Sequence, residues 1–142
     1  MNYHYCQKQL DKEPNCYVTN IEQTTLQNEN FRTAIWTGCY LQMTVMCIPP
    51  CGEIGLEIHT NTDQFIRIEH GNAIVKMGTC KNHLDFQQHM CKGDAVLIPS
   101  GTWHNIINTN QTPLKVSVLY APPNHPIGTI HFTKSDAQIA DY

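Results

Sequence analysis

Short runs of aliphatic, β-branched and aromatic residues, each closed by glycine or proline, dominate the chain. One run covers residues 40–48 and stops at Pro49-Pro50, and another covers residues 95–98 and stops at Pro99. Proline has no N–H to donate to a sheet and glycine is typical of turns, so these residues mark the ends of strands. Short strands at such regular spacing predict an all-β sandwich or barrel.

Composition narrows the class of protein. The chain has 142 residues, which suits one domain, and a net charge of −3 without a basic stripe, which argues against a nucleic-acid partner. No apolar run approaches the ~20 residues of a membrane helix. Residues 1–6 do not resemble a secretory signal, so we expect a cytoplasmic protein with no membrane partner.

The seven cysteines are odd in number and lack C-x-x-C spacing, which favours reduced thiols over a disulfide framework.

The segment from Glu57 to Gly71 carries the first candidate metal ligands. Glu57 and His59 are two residues apart, and on a β-strand this spacing points both side chains to the same face. Gln64 follows His59 by five residues, an odd number, so the turn expected at residues 61–63 must reset the alternation if Gln64 is to face them.

The segment from Gly93 to Asn108 carries the last candidate. Pro99 and Gly101 predict a tight corner that delivers His104 to the start of a new strand. If that strand lies beside the first segment, His104 completes a site with Glu57, His59 and Gln64.

These two segments resemble the two sequence motifs of the cupin superfamily. The second motif is glycine, five residues, proline, one residue, glycine, two residues, histidine, three residues and asparagine, and residues 93–108 match every fixed position. Residues 57–71 match the spacing of the first motif but differ in identity at two positions. Glu57 stands where a histidine is usual, and Gln64 stands where a glutamate is usual.

The resemblance covers roughly residues 31–121 and implies a single-domain cupin, a double-stranded β-helix or jelly-roll barrel. Residues 1–30 then form an N-terminal arm with a short helix capped by Thr19 or Asn20. Residues 122–142 form a C-terminal tail with a short helix begun by Ser135. The chain also resembles small cupins named by analogy with mannose-6-phosphate isomerase, and a homodimer is common in this family.

The resemblance implies that Glu57, His59, Gln64 and His104 bind one divalent metal ion. The two exchanges leave the ligand charge at one negative, as in the usual cupin set of three imidazoles and one carboxylate. Two nitrogen and two oxygen ligands favour Fe(II), Mn(II) or Zn(II) over copper. The alternative is a metal-free polar pocket in which Glu57 hydrogen-bonds to His59 and Gln64.

Three further residues are candidates for the wall of a substrate pocket. Trp103 is expected to face away from His104, which favours outer packing over a substrate wall. Tyr120 ends a strand and is either a core tyrosine or a residue at the barrel mouth. His125, like His131, lies in a proline-rich tail, where a surface position is favoured over a place capping the pocket.

Two classes of function remain open from the sequence. The first is a metal-dependent enzyme, isomerase-like or oxygenase-like, that acts on a small oxygen-rich molecule such as a sugar or sugar phosphate. Proton transfer needs a general base beside the metal, and no free carboxylate is evident for that role. The second class is a non-catalytic module that binds a small ligand or a metal.

Overall fold

The structure is a computed structural model, and it describes residues 11–140. Its strands are β1 (Arg32–Thr37), β2 (Gln42–Ile48), β3 (Asp63–His70), β4 (Asn72–Gly78), β5 (Phe86–Cys91), β6 (Ala95–Ile98), β7 (Trp103–Asn108), β8 (Leu114–Ala121) and β9 (Ile130–His131). Its helices are α1 (Ile21–Gln27) and α2 (Lys134–Ala140).

The strands form two sheets with antiparallel pairing throughout the described residues. One sheet has the order β6-β3-β8-β2-β1-β9, and the other has the order β5-β4-β7. Strands that are neighbours in a sheet are often distant in sequence, because the chain crosses repeatedly between the sheets. This is the jelly-roll arrangement of a cupin barrel, so the expected all-β fold is confirmed.

The main hydrophobic core lies inside the barrel. Strand β3 shows how the sequence builds it, because Gln64, Ile66 and Ile68 are buried while Asp63 and Arg67 are exposed. Such alternation puts one set of side chains inside and the other outside. The core includes Met46, Ile48, Ile66, Ile68, Val75, Met77, Ile106, Val116, Val118 and Tyr120.

Several fixed positions of the second motif have structural roles. Gly93 and Gly101 adopt φ values of +91° and +77°, a region that favours glycine. The Asn108 side chain donates to the carbonyl groups of Ile48, Pro49 and Thr112 and accepts from the N–H of Asn110. Besides His104, the motif therefore supplies two glycines for turns and an asparagine whose side chain hydrogen-bonds two loops together.

The arm and the tail meet at a buried carboxylate. Asp11 accepts hydrogen bonds from the Thr37 hydroxyl at 2.8 Å and from the N–H of Gly128 at 2.9 Å. The N–H of Lys12 donates to the carbonyl of Ile35. Residues 11–12 are therefore fixed against the edge of the sheet, and the rest of the predicted arm before residue 11 lies outside the described residues.

The helix predicted to follow Thr19 or Asn20 is confirmed. Asn20 is its N-cap, and its side chain accepts from the N–H of Gln23 at 2.9 Å. The C-terminal helix begins at Lys134 rather than Ser135, because the Thr133 hydroxyl accepts from the N–H of Asp136 and so caps it one residue earlier.

Three elements depart from expectation. Glu57 and His59 do not lie on a regular strand, because residues 51–62 are irregular and meet β7 through isolated bridges at Glu53 and Glu57 and hydrogen bonds to the Asn105 side chain. Strand β5 was not predicted because it is polar and mostly exposed, and the two-residue strand β9 was also missed.

The six cysteines within residues 11–140 are free, as the odd total of seven in the sequence and their spacing predicted; they are Cys16, Cys39, Cys47, Cys51, Cys80 and Cys91. None of the helices in this range has the length and apolar character needed to cross a membrane.

Candidate metal centre

Glu57 and His104 are brought together by their backbones. The N–H of Glu57 donates to the carbonyl of His104, and the N–H of His104 donates to the carbonyl of Glu57, both at 3.0 Å. This pair of bonds holds the irregular segment of residues 51–62 against the start of β7. The two side chains therefore meet, although Glu57 does not lie on the strand that its spacing predicted.

His59 is held by the corner at the end of β6. The N–H of Gly101 donates to the carbonyl of His59 at 2.7 Å. The second motif thus supplies His104 directly and supports His59 through the backbone of Gly101.

The three side chains converge on one point. The Oε1 atom of Glu57 lies 3.3 Å from Nε2 of His59 and 3.4 Å from Nε2 of His104. One ligand atom from each residue lies within 4.8 Å of the others. A metal bonded at about 2.1 Å to each ligand places neighbouring ligand atoms roughly 3.0–3.4 Å apart in octahedral or tetrahedral geometry. The donor atoms therefore have the spacing of a metal site.

The hydrogen-bonding state of the donor atoms also fits a metal. Nδ1 of His104 donates to the carbonyl of Thr102 at 2.9 Å, which leaves the lone pair of Nε2 directed at the site. Metal-bound histidines commonly have this backbone partner. Nε2 of His59, Nε2 of His104 and Oε1 of Gln64 are buried and make no hydrogen bond. Buried polar atoms without partners are costly, and a cation between the two imidazoles and Glu57 would satisfy both histidine nitrogens.

Electrostatics keep the carboxylate charged. Burial by itself would raise the pKa of Glu57, but the neighbouring His104 and His59 imidazoles outweigh burial and hold the pKa well below its ordinary value. Glu57 is therefore an anion over the whole physiological range and is available as a ligand.

Gln64 lies on the inner face of β3 and is 4 % exposed. A bend at residues 60–61 separates His59 from the start of β3. The Oε1 atom of Gln64 is buried without a hydrogen bond, and its coordination of a metal stays a prediction.

A cavity of about 720 Å³ opens beside these ligands. Glu57 and His59 form part of its wall, and residues 124–131 and helix α2 form the opposite side. The C-terminal tail therefore contributes one side of the pocket.

Tyr120 connects the metal centre to the cavity wall. It is fully buried, and its ring lies 5.9 Å from that of His59 and 5.1 Å from that of His125. Its hydroxyl is 3.3 Å from Nε2 of His125. Burial raises the pKa of Tyr120 to about 12, so its hydroxyl stays protonated.

The favoured surface positions for His125 and His131 are wrong. His125 is half-buried in the cavity wall, and His131 is buried beneath it with the two rings 6.1 Å apart. Burial, followed by the charge of Arg32, lowers the pKa of His125 to about 3. His125 is therefore a neutral hydrogen-bonding group near neutral pH.

Gln42 positions His125 and was not singled out from the sequence. Its side chain accepts from the N–H groups of Asn124 and His125 and donates to the carbonyl of His125. An amide on the inner face of β2, where neighbouring strands place apolar residues, is the signal that could have identified it.

Trp103 does not line this cavity. It precedes His104 on β7, so strand alternation turns it outward, and its ring lies 5.6 Å from the ammonium group of Lys81. The outer-packing interpretation describes its position, and the structure gives no support for a substrate wall there.

Comparison with known proteins agrees with the fold. The family model for the cupin domain matches residues 44–120, more than half of the chain. The chain belongs to the cupin family.

Among its relatives, the uncharacterized protein YrkC of Bacillus subtilis is 54 % identical over 131 residues, which span 92 % of this chain and 70 % of YrkC. The uncharacterized protein L612 of Acanthamoeba polyphaga mimivirus is 38 % identical over 85 % of this chain and 74 % of its own length. The crystal structure of BH2720 from Bacillus halodurans is similar with a TM-score of 0.91 and 48 % identity, over 92 % of this chain and 98 % of that one.

Proposed function

We propose that the chain binds one divalent metal ion through Glu57, His59, His104 and Gln64 and acts as a metal-dependent enzyme on a small oxygen-rich molecule. The observation that carries the proposal is the convergence of buried, unbonded donor atoms around the Glu57 carboxylate. When bound, the metal would supply Lewis acidity and a template for substrate oxygens.

The donor set bears on the type of reaction. Two histidines and one carboxylate are the ligand set of non-haem Fe(II) oxygenases, which need open positions on the metal. Four protein ligands leave such positions on a six-coordinate ion. Oxygenase-like chemistry is therefore the form of the proposal that this donor set supports best, with Fe, Mn and Zn as the metals to test.

Isomerase-like proton transfer is the second candidate, and His125 bears on it. His125 lines the cavity and provides the nitrogen base that the sequence did not reveal. Its pKa of about 3 makes it a weak base, because efficient general bases have a pKa near the operating pH. His125 is better suited to accept or donate a hydrogen bond to a substrate oxygen than to remove a proton from carbon.

The metal content of purified protein tests the site. We expect about one divalent ion per chain in the parent and in the control His83→Ala, whose side chain is 79 % exposed in a loop. Glu57→Ala and His104→Ala should each lose the ion, because either removes a ligand from the cluster. Full metal occupancy in both variants would contradict the site.

Turnover distinguishes the classes of function. The parent loaded with Fe(II), Mn(II) or Zn(II) is incubated with sugar phosphates and small diketones, and oxygen consumption and products are measured. Oxygen consumption that is lost in His104→Ala supports the oxygenase form, whereas product without oxygen consumption supports isomerisation. Thermal stabilisation by one ligand without turnover favours the non-catalytic module.

The homodimer expected from the family remains a prediction. Light scattering of the purified protein checks it, and a mass equal to one chain would contradict it.

A further inference from the structure

Arg32 is a buried cation in the wall of the cavity. It begins β1, is 5 % exposed, and lines the same cavity as Glu57 and His59. Its Nη1 atom lies 3.0 Å from Nδ1 of His131, and its Nη2 atom lies 3.9 Å from the sulfur of Met46. Neither partner carries a negative charge, so they orient the guanidinium without neutralising it.

No carboxylate among residues 11–140 forms an ion pair with Arg32. The two acidic residues that line the cavity are engaged elsewhere, since Glu57 faces the two imidazoles and Glu53 lies 3.7 Å from the ammonium of Lys134. Asp11 accepts from Thr37 and Gly128 instead. The Nε atom of Arg32 is buried without a hydrogen bond.

A buried guanidinium without an anion is expensive to maintain. An arginine cannot shed its proton in a protein, and an unpaired buried charge costs on the order of several kcal/mol. A hydrophobic residue of similar length would be tolerated at such a position, and often preferred, if stability were the only requirement. Apart from the Phe31 ring, 5.6 Å from its guanidinium carbon, the described residues give Arg32 no group that offsets its charge.

The cavity has room for that anion beside the metal centre. Its volume of about 720 Å³ is within the usual range for small-molecule sites. The charge of Arg32 acts on both Tyr120 and His125, and the Tyr120 ring in turn contacts His59. A chain of ring contacts through Tyr120, His125 and His131 thus runs from the His59 side of the metal centre to Arg32.

We propose that Arg32 binds the anionic group of the substrate, a carboxylate or a phosphate, while another oxygen of the same molecule approaches the metal. This rests on the proposed function and deepens it, because it restricts the small oxygen-rich molecule to an anion. A guanidinium can donate two parallel hydrogen bonds to either group, which gives orientation as well as affinity. His131 holds the guanidinium in place and is a positioning residue.

Binding of matched pairs of small molecules tests the proposal. The probes are lactate with its uncharged analogue propane-1,2-diol, and glycerol 3-phosphate with glycerol. Calorimetry is performed on the metal-loaded and the metal-free protein. We expect at least one anion to bind tenfold or more tightly than its neutral analogue, and the preferred anion distinguishes a carboxylate from a phosphate substrate. Equal affinity of each anion and its analogue would overturn the proposal.

Variants at position 32 separate anion binding from folding. Arg32→Met keeps the length and removes the charge, so it should retain the metal and the parental melting temperature or a higher one, yet lose the preference for the anion. Arg32→Lys keeps the charge but cannot donate the two parallel hydrogen bonds of a guanidinium, so it should bind the anion with intermediate affinity. Lys92→Met removes a surface charge outside the cavity, from a side chain that is 63 % exposed, and should behave as the parent.

The result remains decisive if one variant is poorly folded, because Arg32→Lys and the parental probe pairs each provide an independent test. Unchanged anion affinity in folded Arg32→Met would reject the role of Arg32. Absence of metal from the parent would reject the proposed metal centre, and the metal-free titrations would still test Arg32.

Discussion

The number of protein ligands in the proposed metal centre depends on whether Gln64 coordinates the ion. Its Oε1 atom is buried without a hydrogen bond, and an amide binds divalent cations more weakly than a carboxylate. If Gln64 is a ligand, the affinity of the centre is below what the same geometry could reach.

We therefore expect Gln64→Glu to bind the metal at least roughly tenfold more tightly, a gain of about 1.4 kcal/mol. Without metal the same variant should melt at a lower temperature, because a second buried carboxylate joins Glu57. Metal titration and thermal unfolding measure the two effects. Gln88→Glu adds the same charge at an exposed position of β5 and should change neither; a similar affinity in Gln64→Glu and the parent would exclude coordination by Gln64.

His125 gives a prediction for pH dependence. Its pKa is lowered from 6.5 to about 3 by burial and by the charge of Arg32, and His131, Tyr120 and the more distant Glu57 and His59 also surround it. Because the folded protein resists protonation at this group, the unfolded chain binds more protons between pH 6.5 and 3. The contribution of His125 to stability is therefore present above pH 6.5 and is lost as the pH falls.

Chemical denaturation at about pH 7 and about pH 5 measures this effect. We expect the parent to lose more of its free energy of unfolding between the two values than His125→Gln, which cannot titrate. An equal loss in both proteins would contradict the lowered pKa of His125.

At the scale of elements, the corner between β6 and β7 supports a proposed metal ligand through its backbone. Gly101 has a φ of +77°, and its N–H donates to the carbonyl of His59. Gly128 also has a φ of +77°, and a β-carbon added at either glycine would meet no other atom within 4 Å. Both glycines therefore have the same left-handed backbone conformation, but only Gly101 donates a hydrogen bond to the backbone of His59.

Gly101→Ala and Gly128→Ala should each reduce the free energy of unfolding by about 1–2 kcal/mol, because a side chain disfavours the left-handed conformation. Only Gly101→Ala should also weaken metal binding, since it disturbs the backbone support of His59. Urea unfolding and metal titration of both variants provide the comparison. Equal metal affinity in the two variants would show that this corner does not position the ligand.

At the scale of the whole molecule, a metal bound as proposed would tie the segment of residues 51–62 to β7 through Glu57, His59 and His104. A ligand that binds the folded state alone stabilises it by mass action, so a metal at a hundred times its dissociation constant should add about 2.7 kcal/mol to the free energy of unfolding. Thermal unfolding with added metal and with a chelator checks this expectation. His104→Ala should show no difference between the two conditions, and a chelator without effect on the parent would contradict the coupling.

Much of the fold was accessible from residue patterns because local chemistry governs it. The glycine and proline residues that end strands act through their own backbone, and the Asn20 cap acts within one turn of helix. The polar strand β5 was not accessible, since it forms through pairing with β4 and carries little hydrophobic signal of its own.

The candidate metal centre was accessible for a different reason. The spacing of Glu57, His59 and His104 resembles a known motif, and the residue types are those that bind metals. Their convergence depends on the backbone pairing of Glu57 with His104 and of His59 with Gly101, between segments more than forty residues apart. The motif indicated that pairing only through the resemblance, because no local rule connects such distant segments.

The remaining features of the cavity come from tertiary contacts alone. Arg32, His125 and His131 look like ordinary polar residues near strand or tail positions, and nothing in their neighbours along the chain marks them as buried. Strand β9 pairs with β1 and brings His131 to Arg32, while Gln42 holds His125 against Tyr120. Turns and metal-binding residue types can be recognised within short stretches of sequence. The burial of a charged side chain, in contrast, depends on which distant segments pack around it.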